Sequence, residues 1–295
     1  MDDESKGTLG NYAALFIDLL GQRDALRGHG LLPDDHAIAI KQAKETVGVV
    51  VGLHKLFFSF YNAYTKSAQF SDLPEPTRSI LSSVNRCQIR HQRFSDGLLI
   101  YISLAPSSEN SPITGLYALL HAAGSLCFVT LAAGHPIRGG LAIAWGLELP
   151  PNELYGPVVA AAYELESGVA RFPRVVVSGQ VSHYLHANKY GPDTHFEDQY
   201  TKLVAEYCLG LLKTDSKGVT YIDYLGLPFF EAFTKKTESN EIVSAFKKAN
   251  DFVSMQYKKW LVENNEKLYR RYEELKEYFD SNHQTWSKEK SQSKR

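Results

Sequence analysis

The chain has 295 residues, 44% of them hydrophobic, with 32 basic and 33 acidic side chains and a formal net charge of -1. That is enough apolar content for one large domain, or one domain with a substantial appendage. The even balance excludes a protein that coats nucleic acid through bulk positive charge, so any anion must be held by local features.

The segment Met1-Asp2-Asp3-Glu4-Ser5-Lys6 is acidic and polar, the opposite of a secretory signal, and a cytoplasmic location is expected. Cys87, Cys127 and Cys208 are too far apart for a disulfide frame or a zinc set and read as reduced, buried thiols. Residues 11–20 form a short apolar run ending at Gly21, read as a buried strand feeding a turn. Helical spacing over 37–66 (Ile40, Val47, Val50, Val51, Leu56, Phe57, Phe60, Tyr64) predicts one long helix. Residues 88–94 and 98–104 flank Ser95-Asp96-Gly97, a strong hairpin signal. A helix is expected over 113–133. Its apolar stretch is interrupted by His121, Gly124 and Ser125, which suits a packed core helix better than a membrane span.

A strand over 138–146 follows, then a helix over 157–169, a strand over 174–177 and a helix over 180–188. This order predicts an α+β fold, with a mixed, mainly antiparallel sheet and packed helices. Residues 191–237 read as irregular, and helical periodicity returns over 241–279, giving C-terminal helices. The expected organisation is one domain over 1–190, an extension over 191–286 packed on it, and a Lys/Ser-rich disordered tail over 287–295. No internal repeat is present.

Two aspartates carry the functional argument. Asp18 lies within Leu15-Phe16-Ile17-Asp18-Leu19-Leu20-Gly21, and Asp96 lies at the hairpin tip. A carboxylate in a run that wants burial is costly unless a cation meets it. Two such groups at neighbouring strand ends form a site for divalent metals, and a pair of metals is what phosphoryl transfer asks for. Hard oxygen ligands suit Mg²⁺ or Mn²⁺. Taken singly, Asp18 is also a turn cap and Asp96 a hairpin former. Gly21 permits close approach of a phosphate to the backbone, and equally well ends a strand. His183 and His186 are three apart but lack further ligands, and read as surface histidines.

Four segments resemble the class III nucleotide cyclases. Phe16-Ile17-Asp18-Leu19-Leu20-Gly21 resembles their first metal strand, and Phe94-Ser95-Asp96-Gly97 their second metal hairpin. Ile137-Arg138-Gly139-Gly140-Leu141-Ala142 is similar to their central strand, and Leu154-Tyr155-Gly156-Pro157-Val158-Val159 to the turn into their catalytic helix. Order and spacing agree over about 11–188 and not beyond.

The resemblance implies a ferredoxin-like palm domain over 1–190 and catalysis with two divalent ions, Mn²⁺ or Mg²⁺, on Asp18, Asp96 and the Leu19 carbonyl. Phosphate would lie on the turn of Leu19, Leu20, Gly21, Gln22 and Arg23, and Phe16 would be among the substrate-binding residues. Ala160 and Glu164 replace the asparagine and arginine usual in purine-cyclising members. The transition-state cation is therefore sought among Arg138, Arg93 and Arg23. Arg138 ranks first, with an ion pair to Glu153 or Glu166 as its alternative role.

Gln92 and Glu153 stand at the base-reading positions. Tyr155 either fills space that a purine would occupy or is an ordinary core tyrosine. Ser95-Asp96-Gly97, Arg138-Gly139-Gly140 and Ala162-Tyr163-Glu164-Leu165-Glu166 most resemble the pyrimidine cyclases of bacterial anti-phage signalling. These are homodimers whose cyclic UMP or cyclic CMP activates a separate effector. The expectation is a homodimeric uridylate cyclase that contacts neither nucleic acid nor membrane. A cytidylate or purine cyclase, or a non-catalytic nucleotide-binding module of the same fold, is the alternative.

Overall fold

The computed structural model describes residues 7–22, 27, 30–67, 87–107, 110–192, 194, 196–234 and 239–286. The chain opens with strand β1 (Thr8–Leu19), helices α1 (His36–Glu45) and α2 (Val47–Ser67), and the hairpin β2 (Ile89–Phe94) and β3 (Gly97–Ser103). Helix α3 (Pro112–Ala132) leads to β4 (Ile137–Leu149), β5 (Glu153–Tyr155) and α4 (Pro157–Glu164), which runs into a π-turn over Leu165–Val169. Strand β6 (Val175–Val177), helices α5 (Gly179–Lys189) and α6 (Phe196–Gly210), and strands β7 (Leu212–Thr214) and β8 (Thr220–Ile222) follow. Helices α7 (Leu227–Thr234), α8 (Ser239–Val262) and α9 (Glu266–Trp286) close the described chain.

The strands form one open sheet in the order β2-β3-β1-β4-β6-β8-β7, with β5 paired to β4 off that path. All pairings are antiparallel except β4 with β6. The expected α+β class is what the chain adopts. Its first four strands, β1 to β4, have the βαββαβ connection and the strand order of a ferredoxin-like sheet.

Side-chain alternation gives the sheet two different faces. Leu15 and Ile17 of β1, with Leu98 and Ile100 of β3, pack into the large core beneath α2 and α3. Tyr12 and Ala14, with Leu99 and Tyr101, point the other way. They are covered by Leu154, Val158 and Ala162 of β5 and α4. Among the described helices α3 alone is long and apolar enough to cross a bilayer, and 83% of its apolar window is buried in the protein.

Two expectations are corrected. The helix over 37–66 is two helices, interrupted at Thr46, whose hydroxyl donates to the Gln42 carbonyl at 2.7 Å and ends the first one. The Asp35 carboxylate caps that first helix by accepting the N–H groups of Ala37 and Ile38. The stretch 191–237 is not irregular, since it holds α6, β7, β8 and α7. Its strands are three residues each, too short to show alternation.

Residues beyond 190 extend the same sheet, because Tyr221 of β8 pairs with Val176 of β6. Trp286 is fully buried and donates its indole N–H to the Leu225 carbonyl at 2.7 Å, fastening the end of α9. The expected disordered tail over 287–295 lies outside the described residues.

Candidate functional site

Asp18 is opposed by Gly97 on one side and by Arg138 on the other. Alternation sends Ile17 and Leu19 into the main core and leaves Asp18 on the second face, beside Phe16. Asp96 sits in the turn immediately before Gly97, where Ser95 takes a positive φ of 47°. The two carboxylates therefore end neighbouring strands.

Glu166 joins them. It is 2% exposed and comes from the π-turn, which packs against Gly140 of β4. A Cβ on Gly140 would lie 2.3 Å from the Ala162 carbonyl and 2.7 Å from the Glu166 nitrogen. Only glycine lets the helix come this close. Arg138 donates Nε–H to Glu166 at 2.5 Å, and another of its nitrogens lies 3.8 Å from Asp18.

Burial and then the charges of Glu166 and Asp96 push the Asp18 carboxyl up to about 6. Arg138 and the N–H of Leu19 pull the other way. Glu166 is also raised, by burial first, against the stabilising contact with Arg138. Asp18 and Glu166 thus share one arginine, and Asp96 adds a third negative charge beside them. Glu166 figured in the sequence as a possible partner of Arg138 and within the segment 162–166 that carries the resemblance, but a glutamate after a helix carries no signal that a π-turn will turn it inward.

The turn after β1 is divided in its roles. Leu20 donates its N–H to the Pro136 carbonyl at 2.9 Å. Gln22 is buried and donates its amide to the Thr46 carbonyl at 3.2 Å, so its side chain holds the break between α1 and α2. Gly21 has φ 87°, a left-handed conformation that glycine adopts without strain, and nothing stands within 4 Å of where a Cβ would be. Arg23 lies outside the described residues.

Phe16 packs edge-on against Tyr163, with ring centroids 5.5 Å apart, and lies tilted against Phe94 at 6.1 Å. Gln92 shares that face, two residues along β2 from Phe94, and its amide oxygen accepts the Leu154 N–H at 3.1 Å. Glu153 and Tyr155 are exposed and joined to each other, the phenol donating to the carboxylate at 2.9 Å. They pair with Leu149 and Leu147, at the opposite end of β4 from Arg138. Tyr155 is therefore not a core residue.

Arg93 is not brought to the site. It is opposite Leu98, on the helix-covered side of the sheet near His54 and His91. The structure thus separates the candidates into an acidic group (Asp18, Asp96, Arg138, with Glu166) and a second group (Gln92, Glu153, Tyr155).

The acidic group suits a hard divalent ion by its chemistry: carboxylate oxygens with excess negative charge, held beside the main chain of Leu19. Among the described residues no group of three His, Cys, Asp or Glu side chains stands arranged to hold a metal ion, so the fit rests on two aspartates and backbone oxygen. His183 and His186 are exposed, and the three cysteines are buried and free.

A cavity of about 900 Å³ opens elsewhere, at the far end of the sheet, around Tyr12, Arg90 and Glu148. Glu148 there pairs with Arg90 and accepts the hydroxyls of Tyr101 at 3.1 Å and Tyr12 at 3.4 Å, so its acceptors are already engaged. It holds none of the acidic group. No protein-family model and no curated protein matches the chain.

Proposed function

We propose that this chain is a nucleotide cyclase that converts a pyrimidine triphosphate, UTP ahead of CTP, into the 3′,5′-cyclic monophosphate and pyrophosphate. The observation that carries the reading is the crowding of three carboxylates at the ends of β1 and β3, Asp18 and Glu166 on one arginine and Asp96 near both acids. Such a cluster is costly without a cation.

Asp18 and Asp96 would hold two divalent ions, Mn²⁺ or Mg²⁺, which supply activation of the 3′-hydroxyl and charge relief at the leaving pyrophosphate. Arg138, fixed in direction by Glu166, offers a guanidinium to charge developing on the phosphate. The turn at Gly21 gives the phosphates a close backbone approach. Gln92, Glu153 and Tyr155 read the base.

The acidic and base-reading groups lie at different places on one face of the sheet, which supports a homodimer in which each chain completes the other's site. Phe94, Tyr155 and Tyr163 are 45%, 51% and 54% exposed there, and suit burial against a second copy. The product would serve as a cytoplasmic second messenger, acting through a separate effector in antiviral defence.

Incubating the protein with each ribonucleoside triphosphate and Mn²⁺, then identifying the product, tests the reading. A cyclic pyrimidine monophosphate that disappears in Asp18→Ala and Asp96→Ala is expected, and no cyclic product from any triphosphate refutes it. One observation favours a second reading, a non-catalytic nucleotide-binding module. Ala160 and Glu164 stand exposed on α4, where the resemblance calls for an asparagine and an arginine.

A further inference from the structure

The end of the sheet formed by β6, β8 and β7 meets α9 around a polar cavity. Arg174 stands two residues before Val176 of β6, Val176 pairs with Tyr221 of β8, and Tyr221 pairs with Lys213 of β7. Strand alternation therefore sets Arg174, Tyr221 and Lys213 on one face. All three line a cavity of about 410 Å³, within the ~300–1,000 Å³ typical of small-molecule sites. Helix α9 supplies the opposite wall through Glu274, Glu277, Tyr278 and Ser281, whose spacing puts them on one helical face.

Several polar groups at this place already have partners. Asp215 accepts the Arg174 guanidinium at 2.9 Å on one oxygen and the N–H groups of Lys217 and Val219 on the other. Lys217 crosses to Glu274 at 2.7 Å and closes one side. The Tyr278 hydroxyl donates to Asp223 at 2.6 Å and accepts the Leu225 N–H at 2.8 Å. Others are left over. Arg174 is 3% exposed and lies over the Phe172 ring at 4.3 Å, and its Nε–H has no acceptor among the described residues. Tyr221 is 8% exposed and packs edge-on to Tyr278, and its hydroxyl has no partner among the described residues. Lys213 and Glu277 are exposed on opposite walls, and neither is in an ion pair among the described residues.

The mouth thus presents one cation and one anion held apart, above a floor of buried rings. A simple anion would suit Lys213 and be repelled by Glu277, and a simple cation would meet the reverse. A purely apolar molecule would leave the Tyr221 hydroxyl dry and unpaired. A molecule with both charges on one small head and an aromatic body answers every wall, since rings pack well on rings.

We propose that this cavity binds a free aromatic α-amino acid, with its side chain among Phe172, Tyr224 and Tyr278, its carboxylate on Lys213 and the Tyr221 hydroxyl, and its ammonium on Glu277. The site does not rest on the cyclase reading, and it lies on elements that the resemblance does not cover.

The test is calorimetric titration of L-phenylalanine, L-tyrosine and L-tryptophan into the full-length protein. Phenethylamine, which lacks the carboxylate, and 3-phenylpropionate, which lacks the ammonium, are the controls. At least one amino acid binds saturably, and both controls bind about tenfold or more weakly, the loss of one charge-assisted contact. Lys213→Gln removes the preference over phenethylamine, and Glu277→Gln removes the preference over 3-phenylpropionate. Tyr221→Phe weakens the amino acid and 3-phenylpropionate and spares phenethylamine. Lys276→Gln, whose side chain is paired to Asp280, changes nothing. Lys213 and Glu277 are exposed, so their variants fold, and melting confirms it. No saturable binding of any of the three amino acids overturns the proposal, as does equal affinity in wild type and in the Lys213→Gln, Glu277→Gln double variant.

Discussion

Arg138 and Asp18 face each other in register on β4 and β1, yet the guanidinium stops 3.8 Å short of the carboxylate. Glu166 holds it back, taking the Nε–H at 2.5 Å from a position that is almost fully buried. The consequence is electrostatic. A directly paired Asp18 would be held low, whereas here burial and two neighbouring acids outweigh Arg138. The site is arranged to remain short of positive charge.

Removing that mismatch should stabilise the metal-free protein and abolish the proposed cyclisation. For Asp18→Asn we expect a gain of the order of 1 kcal/mol at neutral pH, well below the full value of the shift because the side chain is 27% exposed. Thermal melting in EDTA measures the gain, and product formation with Mn²⁺ measures the loss. A variant that melts lower than wild type in EDTA refutes this account of the charge balance.

The pH dependence has a definite sign. The folded Asp18 carboxyl titrates at about 6, above its unfolded value of 3.8. Its contribution to metal-free stability is therefore fully present below 3.8 and is lost as pH rises through about 6. Ion binding needs the ionised form, so the rise in Tm caused by Mn²⁺ should grow over the same interval. His54, buried and lowered to about 4, opposes the first trend, since its contribution is lost as pH falls from 6.5 toward 4. The informative measurement is thus the difference between wild type and Asp18→Asn, which keeps His54. A difference that does not vary between pH 4 and pH 7 contradicts the shift at Asp18.

Glu166→Gln leaves an acceptor for Arg138 but removes one of the charges that raise Asp18. We expect kcat to fall with little change in KM, and the acid limb of the rate profile to move to lower pH. A purely structural role for Glu166 would lower melting and leave that limb in place.

Much of the sheet was legible in the sequence, and the reasons are local. The Asp96-Gly97 turn and the apolar run before Gly21 mark β1, β2 and β3 through signals carried by a few adjacent residues. The same alternation also places Gln92 and Arg93 on opposite faces, so exclusion of Arg93 could have been read from the hairpin alone. The break at Thr46 was hidden, because apolar spacing continues across it and only the φ and ψ of one residue change. Glu166 was hidden for another reason. It reaches the acidic site through long-range packing of the π-turn on Gly140.

Gly140→Ala should show how tightly that packing is set. With the Ala162 carbonyl 2.3 Å from the added Cβ, the helix must move, and overpacking of this kind costs about 1–3 kcal/mol. Melting should fall and Arg138 should lose its fixed direction, lowering activity further than stability alone explains. Gly52→Ala, in α2 with nothing within 4 Å of the new methyl, should instead stabilise by about 1 kcal/mol and leave turnover unchanged. Equal melting temperatures for Gly140→Ala and wild type would show that the helix has room to yield.

The last expectation concerns the base. A backbone N–H can only donate, so the Leu154 contact fixes the Gln92 amide with its oxygen inward and leaves its NH₂ group to face a ligand. A donor at that place matches the 4-carbonyl of uracil and not the 4-amino group of cytosine. Gln92→Glu keeps an oxygen for Leu154 and replaces the donor with a second acceptor. We therefore expect the ratio of kcat/KM for UTP over CTP to fall about tenfold or more in this variant, since a mismatched buried base leaves polar groups unpaired. Metal dependence should be unchanged, because Gln92 is not among the acidic group. The measurement is product formation from UTP and CTP in direct competition. An unchanged ratio removes Gln92 from base reading, and faster cyclisation of ATP or GTP by the wild type excludes a pyrimidine substrate.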